Sequence, residues 1–133
     1  MEKTFVLIKP DAVERNLIGK ILNEYERNNL KIVDMKLMIV SDYIAKKHYA
    51  EHEGKPFYEN LISYITRGPL VALVLEGEDA VNRARSLNGK TDPKISSKNT
   101  IRALYGKSLS ENSVHSSDSK ESAKREINLW FNS

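Results

Sequence analysis

Cysteine is absent from the 133 residues. Disulfides and thiolate metal centres are therefore excluded, and a chain that needs neither suits a reducing cytoplasm, the expected location. Long apolar runs are absent too. The longest, Phe5–Ile8 and Leu70–Leu75, fall far short of the roughly 20 residues a membrane-spanning helix needs, so no membrane partner is expected. The start, Met1-Glu2-Lys3-Thr4, has neither the charged segment nor the apolar stretch of a secretory signal. Charge of one sign is scarce. The 21 basic and 18 acidic side chains leave +3, which favours a small anionic ligand but is too scattered to point to nucleic acid. Internal repeats, low-complexity stretches and linkers are also missing, so residues 1–133 are read as a single domain with one real core.

What is present is a run of short periodic segments. Phe5-Val6-Leu7-Ile8 reads as a buried strand, ended by Lys9-Pro10-Asp11. Ile18, Ile21, Leu22 and Tyr25 recur at helical spacing, and Asn28-Asn29 closes that helix. Over 32–40, Val33, Met35, Leu37 and Ile39 alternate on one face of a second strand. Ser41-Asp42 caps a short helix over 43–51. Tyr58, Leu61, Ile62 and Ile65 mark another helix, stopped by Gly68-Pro69. Leu70–Leu75 is the most central-looking strand, and the helix over 78–88 closes on Gly89. Residues 90–111 form a long lysine-rich loop with one helical turn over 100–105, and loops of that length are usually functional. Ser113–His115 makes a short fourth strand. Asp118-Ser119-Lys120-Glu121 resembles a capping box for a last helix with Ala123, Ile127, Trp130 and Phe131 on one face. The order β-α-β-(αα)-β-α-(loop)-β-α predicts an α+β fold, a ferredoxin-like split βαβ. Its antiparallel sheet has four strands, helices on one face and a helix pair as an insertion.

The stretch Asn112-Ser113-Val114-His115-Ser116-Ser117-Asp118 carries the most chemistry. It sets one histidine among small hydrogen-bonding residues, just ahead of a helix start, where phosphate binds well. A neutral imidazole there is a competent nucleophile. Glu126, two turns into the helix, is placed to reach back and orient the ring. Lys9 ends the first strand, Arg85 lies on a helix facing the long loop, and Arg102 lies within it. With Thr91 they make a cationic clamp suited to a triphosphate, since guanidinium forks match phosphate oxygens. The segment over 84–91 superficially matches a phosphate-binding P-loop, but a helix precedes it and Thr91-Asp92-Pro93 follows, so that reading fails. His48 and His52 are spaced i, i+4 without His-Glu-x-x-His, so zinc is not expected, and hydrogen bonds within the helix pair are their simplest use. Tyr49 and Phe57 are either core aromatics or a stacking surface for a base. The central strand carries no aromatics, which argues against an RNA-binding sheet.

These residues together resemble the nucleoside diphosphate kinase family, essentially end to end. The motifs that carry the resemblance are Thr4–Ala12, His48-Tyr49-Ala50-Glu51-His52 with Lys55-Pro56-Phe57, Gly68-Pro69, Thr91-Asp92-Pro93, Thr100-Ile101-Arg102, Asn112–Asp118, Glu121-Ser122-Ala123 and Arg125-Glu126-Ile127. The resemblance implies a ping-pong enzyme. The γ-phosphate of a nucleoside triphosphate, mainly ATP, passes to a histidine and then to a nucleoside diphosphate, with little base selectivity. It makes His115 the phosphorylated nucleophile, carrying a pros-phosphohistidine, with Ser117, Glu126 and Lys9 supporting it. Lys9, Tyr49, Arg85, Thr91, Arg102 and Asn112 would bind phosphates and sugar, Phe57 would stack the base, and Leu61 would lie on its rim. Mg²⁺ would be held mainly by the nucleotide phosphates, with Asp118 approaching through water. A homo-oligomer, tetramer or hexamer, is implied as well.

Three departures from the family pattern stand out. Ser116 replaces the glycine after the histidine, and a left-handed backbone there would strain a serine and misplace His115. Ala103-Leu104 replaces a Gly-Asp pair, and Lys98-Asn99 replaces a Pro-Gly in a loop that helps build subunit contacts. The chain also ends soon after Trp130-Phe131, without the C-terminal arm that longer members use in hexamers. These departures motivate an alternative, a kinase-like nucleotide-binding protein with impaired turnover.

Overall fold

The computed structural model describes residues 1–109 and 111–132; Ser110 and Ser133, the last residue of the expected domain, lie outside the described residues. Four strands, β1 (Glu2–Ile8), β2 (Lys31–Met38), β3 (Leu70–Gly77) and β4 (Val114–Ser116), form one sheet in the order β2-β3-β1-β4. Every neighbouring pair is antiparallel. This is the split βαβ arrangement that the element order predicts. Among the described residues seven α-helices surround the sheet: α1 (Pro10–Glu14), α2 (Ile18–Glu26), α3 (Asp42–His48), α4 (Tyr58–Thr66), α5 (Ala80–Asn88), α6 (Ile101–Tyr105) and α7 (Lys120–Phe131).

The expectation of helices on one face is corrected: both faces are covered. The reason lies in the two central strands. Thr4–Ile8 of β1 and Leu70–Leu75 of β3 are buried without interruption, so each strand offers apolar side chains to both sides. Continuous runs of that kind need two covering layers. On one side Val6, Ile8, Val71, Leu73 and Leu75 pack with Ile21 and Tyr25 of α2 and Ala80 and Ala84 of α5. On the other, Phe5, Leu7, Leu70 and Ala72 pack with Ala45 of α3, Ile62 and Ile65 of α4 and Trp130 of α7.

The local signals hold with small shifts. Asn29, at φ +65°, follows α2 as the asparagine pair predicts. The helix-pair segment is α3 and α4, with a 3₁₀ turn over Ala50–His52 between them. Pro10 opens α1 rather than merely ending a strand, because its missing N–H is no loss at a first helical position. The cap of α7 moves by one residue: Ser119, not Asp118, is the N-cap, accepting from the Ser122 N–H at 3.0 Å.

β2 differs from its neighbours. It is an edge strand that ends at Met38, before the expected limit, and Val33, Met35 and Leu37 within it and Ile39 just beyond it are 39–66% exposed. Met35 and Leu37 stand opposite Leu73 and Val71 and share their face. The helices that bury Leu73 and Val71 do not extend far enough to cover their partners.

Candidate active site

β4 and the start of α7 bring the nucleophile candidate to a cavity of about 1020 Å³. His115 sits in β4 opposite Leu7, and the chain then turns through Ser117 and Asp118 into α7. α7 returns along β1 and presents Ala123, Glu126 and Trp130 as its buried face. A carboxylate within an otherwise apolar stripe needs partners, and Glu126 has them. Its Oε1 lies 3.1 Å from His115 Nε2 and accepts from the Ser117 hydroxyl at 2.6 Å. Burial pushes the Glu126 carboxyl upward, but the hydrogen bond and charge of His115, with Ser117 behind, hold it below its ordinary value. An ionised Glu126 accepts only, so Nε2 of a neutral His115 must carry the proton. Nδ1 is left bare on a ring that lines the cavity. The arrangement is that of a nucleophilic imidazole with its tautomer set by a carboxylate behind it.

The backbone leading to His115 is strained, at a different residue from the one expected. Ser116 lies in β4 with an extended backbone, so the feared left-handed serine is not there. Ser113 is the left-handed residue, at φ +77°. It is the centre of a tight turn closed by the Val114 N–H to the Asn112 carbonyl at 3.0 Å. A turn of this hand is rare for a residue other than glycine and persists only where its surroundings fix it. Here they do. The Ser113 hydroxyl donates to Asp11 Oδ2 at 2.9 Å and accepts from Arg15 at 3.1 Å. Its carbonyl accepts from the Lys9 N–H at 2.8 Å. Tyr64 donates to the other oxygen of Asp11.

A cationic wall faces His115. Lys9 is buried at the end of β1, and its Nζ donates to Asn112 Oδ1 at 3.0 Å. Asn112 in turn donates to the carbonyls of Thr91 and Leu109, at 3.0 and 3.1 Å. Burial, with the Arg102 charge adding to it and Asp11 opposing it, brings the Lys9 ammonium down to about 8. Arg102 is anchored by two 2.8 Å bonds, to the carbonyls of Gly89 and Val114. Its Nε–H has no hydrogen-bond partner within the described residues, and burial and Arg85 both disfavour its charge. Gly89 is indispensable to this anchor: at φ +87°, a Cβ there would lie 2.0 Å from Ser96 Oγ. Arg85 and Thr91 are exposed on the same cavity. Arg102 disfavours the charge of Lys9 and Arg85 that of Arg102, and among the described residues neither Lys9 nor Arg102 has a carboxylate in ion-pair contact, so the wall suits a polyanion.

The far end of the cavity is apolar and open. Phe57 is 45% exposed, with Leu61 and Tyr49 beside it. His52 approaches Phe57 with ring centroids 5.3 Å apart. Asp118 lies at the cavity beside Arg85, and its carboxyl is held below the ordinary value, chiefly by the Ser122 hydroxyl. It is an ionised oxygen donor in an open setting, which fits a hard cation that keeps most of its waters and takes its other ligands from phosphate.

Eleven of the twelve residues nominated from the sequence therefore line one cavity: His115, Glu126, Lys9, Tyr49, Phe57, Leu61, Arg85, Thr91, Arg102, Asn112 and Asp118. Ser117 is fully buried behind them, where it secures Glu126. The sequence missed His48. Its expected hydrogen bonding inside the helix pair is corrected, because Nδ1 accepts from the Trp130 indole of α7 at 3.1 Å. Tryptophan following Glu126 by four residues, on the same helix face, was the available signal. His48, His115 and Glu126 offer ligand atoms within 4.8 Å of one another. The indole and the carboxylate already use these ring nitrogens, so the cluster is a hydrogen-bonded assembly rather than a cation cage.

Comparison with known proteins agrees with this geometry. The family model described as nucleoside diphosphate kinase matches residues 2–133. A nucleoside diphosphate kinase of Clostridium perfringens is 60% identical over 131 residues, covering 98% of this chain and 92% of that protein. The crystal structure of the enzyme from Encephalitozoon cuniculi superposes with a TM-score of 0.97 at 38% identity, covering 100% of this chain and 90% of that one. The halophilic enzyme from Halobacterium salinarum, solved in complex with CDP, gives 0.96 at 46% identity, covering 99% and 88%.

Proposed function

The chain belongs to the nucleoside diphosphate kinase family and is a nucleoside-diphosphate kinase, a premise from which we propose that it works by ping-pong transfer through His115. The bare Nδ1 of His115 attacks the γ-phosphorus of a nucleoside triphosphate in line. An Nδ1–P bond forms, and the bond to the β–γ bridging oxygen breaks. The nucleoside diphosphate leaves with that electron pair. The ring, still protonated at Nε2, becomes cationic, and Glu126 at 3.1 Å offsets that charge. In the second half a β-phosphate oxygen of another diphosphate attacks the same phosphorus, and Nδ1 takes back its pair. Little covalent work falls to the protein beyond the nucleophile, so placement and charge dominate. Lys9, Arg85 and Arg102 supply charge, and Asn112 and Thr91 align phosphates and sugar. A divalent metal belongs to the family's chemistry. Mg²⁺ would screen the phosphate oxygens, with Asp118 approaching its waters.

The observation that carries this reading is the His115–Glu126 pair, which leaves one ring nitrogen free at a cationic cavity. Incubation with γ-labelled ATP and Mg²⁺ is expected to leave an acid-labile phosphate on His115, and His115→Ala to abolish it. An unlabelled wild-type protein, or label surviving in His115→Ala, overturns the assignment. Stacking of any base on Phe57 and Leu61, without base-edge hydrogen bonds, supports low base selectivity with ATP as the main donor. Impaired turnover loses its main support, since Ser116 is unstrained.

The remaining assignments follow from the same residues. The uncovered stripe on edge strand β2 supports a homo-oligomer, tetramer or hexamer, since such patches mark interfaces. A solution mass of one chain would contradict it. Residues 1–133 act as one domain. A cysteine-free chain working on nucleotides suits the cytoplasm, and no helix among the described residues is long and apolar enough to cross a membrane.

A further inference from the structure

His48 ends α3, and nothing in the phosphoryl-transfer scheme above uses it. It is 3% exposed and does not line the cavity. Its ring lies between the indole of Trp130 and the imidazole of His115. Trp130 Nε1 is 3.1 Å from its Nδ1. The His115 ring centroid is 4.6 Å away with the planes at 79°, an edge-to-face contact. Tyr49 at 4.8 Å and Phe5 at 6.1 Å complete an aromatic enclosure.

Two physical facts define its state. An indole N–H can only donate, so Nδ1 of His48 is bare and the ring proton is on Nε2. Burial, with the charge of His115 adding to it, holds the ring well below the ordinary histidine range, so it is neutral. The 3.9 Å approach of Nδ1 to Glu126 Oε2 is therefore not an ion pair. An uncharged ring is the tolerable neighbour here, because a cationic one would oppose the charge His115 acquires on phosphorylation.

We propose that His48 is a positioning residue for phosphoryl transfer, a neutral imidazole held by Trp130 that fixes the plane of the His115 ring. With that plane fixed, Nε2 stays on Glu126 and Nδ1 points at the phosphorus. The idea rests on His115 being the nucleophile. Holding an attacking atom in line is worth a great deal in rate and little in ground-state binding.

The test compares wild type with His48→Asn, whose amide oxygen still accepts from the indole but whose ring is gone. In ¹⁵N-histidine NMR spectra wild-type His115 shows the Nε2–H tautomer, and His48→Asn is expected to show a mixture. Single-turnover labelling by ATP is expected to slow roughly ten- to hundredfold, with ADP affinity unchanged within about twofold. His48→Phe, which restores a flat ring, is expected to recover most of the rate. Wild-type labelling rate in His48→Asn overturns the proposal, as does loss of rate and ADP affinity in equal proportion with the His115 tautomer unchanged. Should His48→Asn not fold, Trp130→Phe decides. Releasing the His48 ring is expected to slow labelling roughly two- to tenfold at unchanged ADP affinity, and an unchanged rate overturns the proposal. Failure of wild-type protein to label at His115 would instead refute the proposed function itself.

Discussion

The two ends of the cavity are built on opposite plans. At the histidine end almost every polar atom is spoken for. His115 meets Glu126, Glu126 meets Ser117, His48 meets Trp130, and Asn112 meets Lys9, Thr91 and Leu109. These groups come from the β1–α1 junction, β4 and its flanks, α3, α7 and the long loop, and most are buried. At the Phe57 end an exposed ring and Leu61 offer apolar area, and the half-buried His52 beside them has an exposed contact from Lys55 at 3.3 Å. One end fixes its groups through directional bonds; the other offers a flat apolar surface. An enzyme that must place one phosphorus accurately while taking any base needs that division.

The sharpest way to break the contrast is to disturb the histidine end without changing its volume. Glu126→Gln keeps the size but can turn an amide N–H₂ toward His115. Nε2 would then have to accept, the proton would move to Nδ1, and the nucleophile would be blocked. Labelling of His115 is expected to slow on the order of a hundredfold or more, while ADP affinity holds. The check is single-turnover labelling beside an ADP titration. A rate within twofold of wild type would mean that the tautomer is set elsewhere.

Lys9, at the histidine end, gives a pH signature. Its ammonium titrates near 8 in the empty protein because burial and Arg102 disfavour the charge. Below that pH the cation is present and attracts phosphate; above it the amine is neutral and the attraction is lost. The value of kcat/KM, which reports the free enzyme, is therefore expected to fall above pH about 8, approaching tenfold per pH unit. Bound phosphate favours the charged form, so the fall in kcat lies at higher pH. Lys9→Met should lower kcat/KM throughout and remove the inflection. An inflection that survives the substitution belongs to another group.

How much of this was legible beforehand depended on whether the signal was local. Phe5–Ile8 and Leu70–Leu75 announce central strands by their unbroken apolar character, and the same character requires two helical layers, though one was expected. Gly89 marks a helix end by chemistry confined to a few residues. The apolar alternation in β2 was visible, but alternation says nothing about how far a covering helix extends. Glu126 was legible because two helical turns back from it reach His115, and the 3.1 Å contact to Nε2 agrees with that spacing. The pairing of His48 with Trp130 spans 82 positions, and the one local hint of it, Trp130 four residues after Glu126, names no partner. The left-handed position is Ser113 rather than Ser116 because Asp11, Arg15 and the Lys9 N–H converge on it. Those partners lie about 100 residues away, and nothing within Asn112–Ser117 distinguishes one serine from the other.

The smallest effect lies at the permissive end, and it is the most discriminating. Phe57 remains 45% exposed, so truncating it forfeits only part of a stacking contact. Phe57→Ala is expected to raise KM for nucleoside diphosphates roughly five- to tenfold, toward the lower end of what one base–aromatic stack is worth. Labelling of His115 at saturating ATP should hardly change, because no hydrogen bond links Phe57 to the histidine end. Purine and pyrimidine diphosphates should lose affinity to a similar degree, larger rings somewhat more. The measurement is KM for ADP, GDP, CDP and UDP in the variant and the wild type. If one base lost far more than the others, a base edge would have to be read nearby, with His52 the first residue to suspect. The division between an exacting end and a permissive one would then fail at its simpler half.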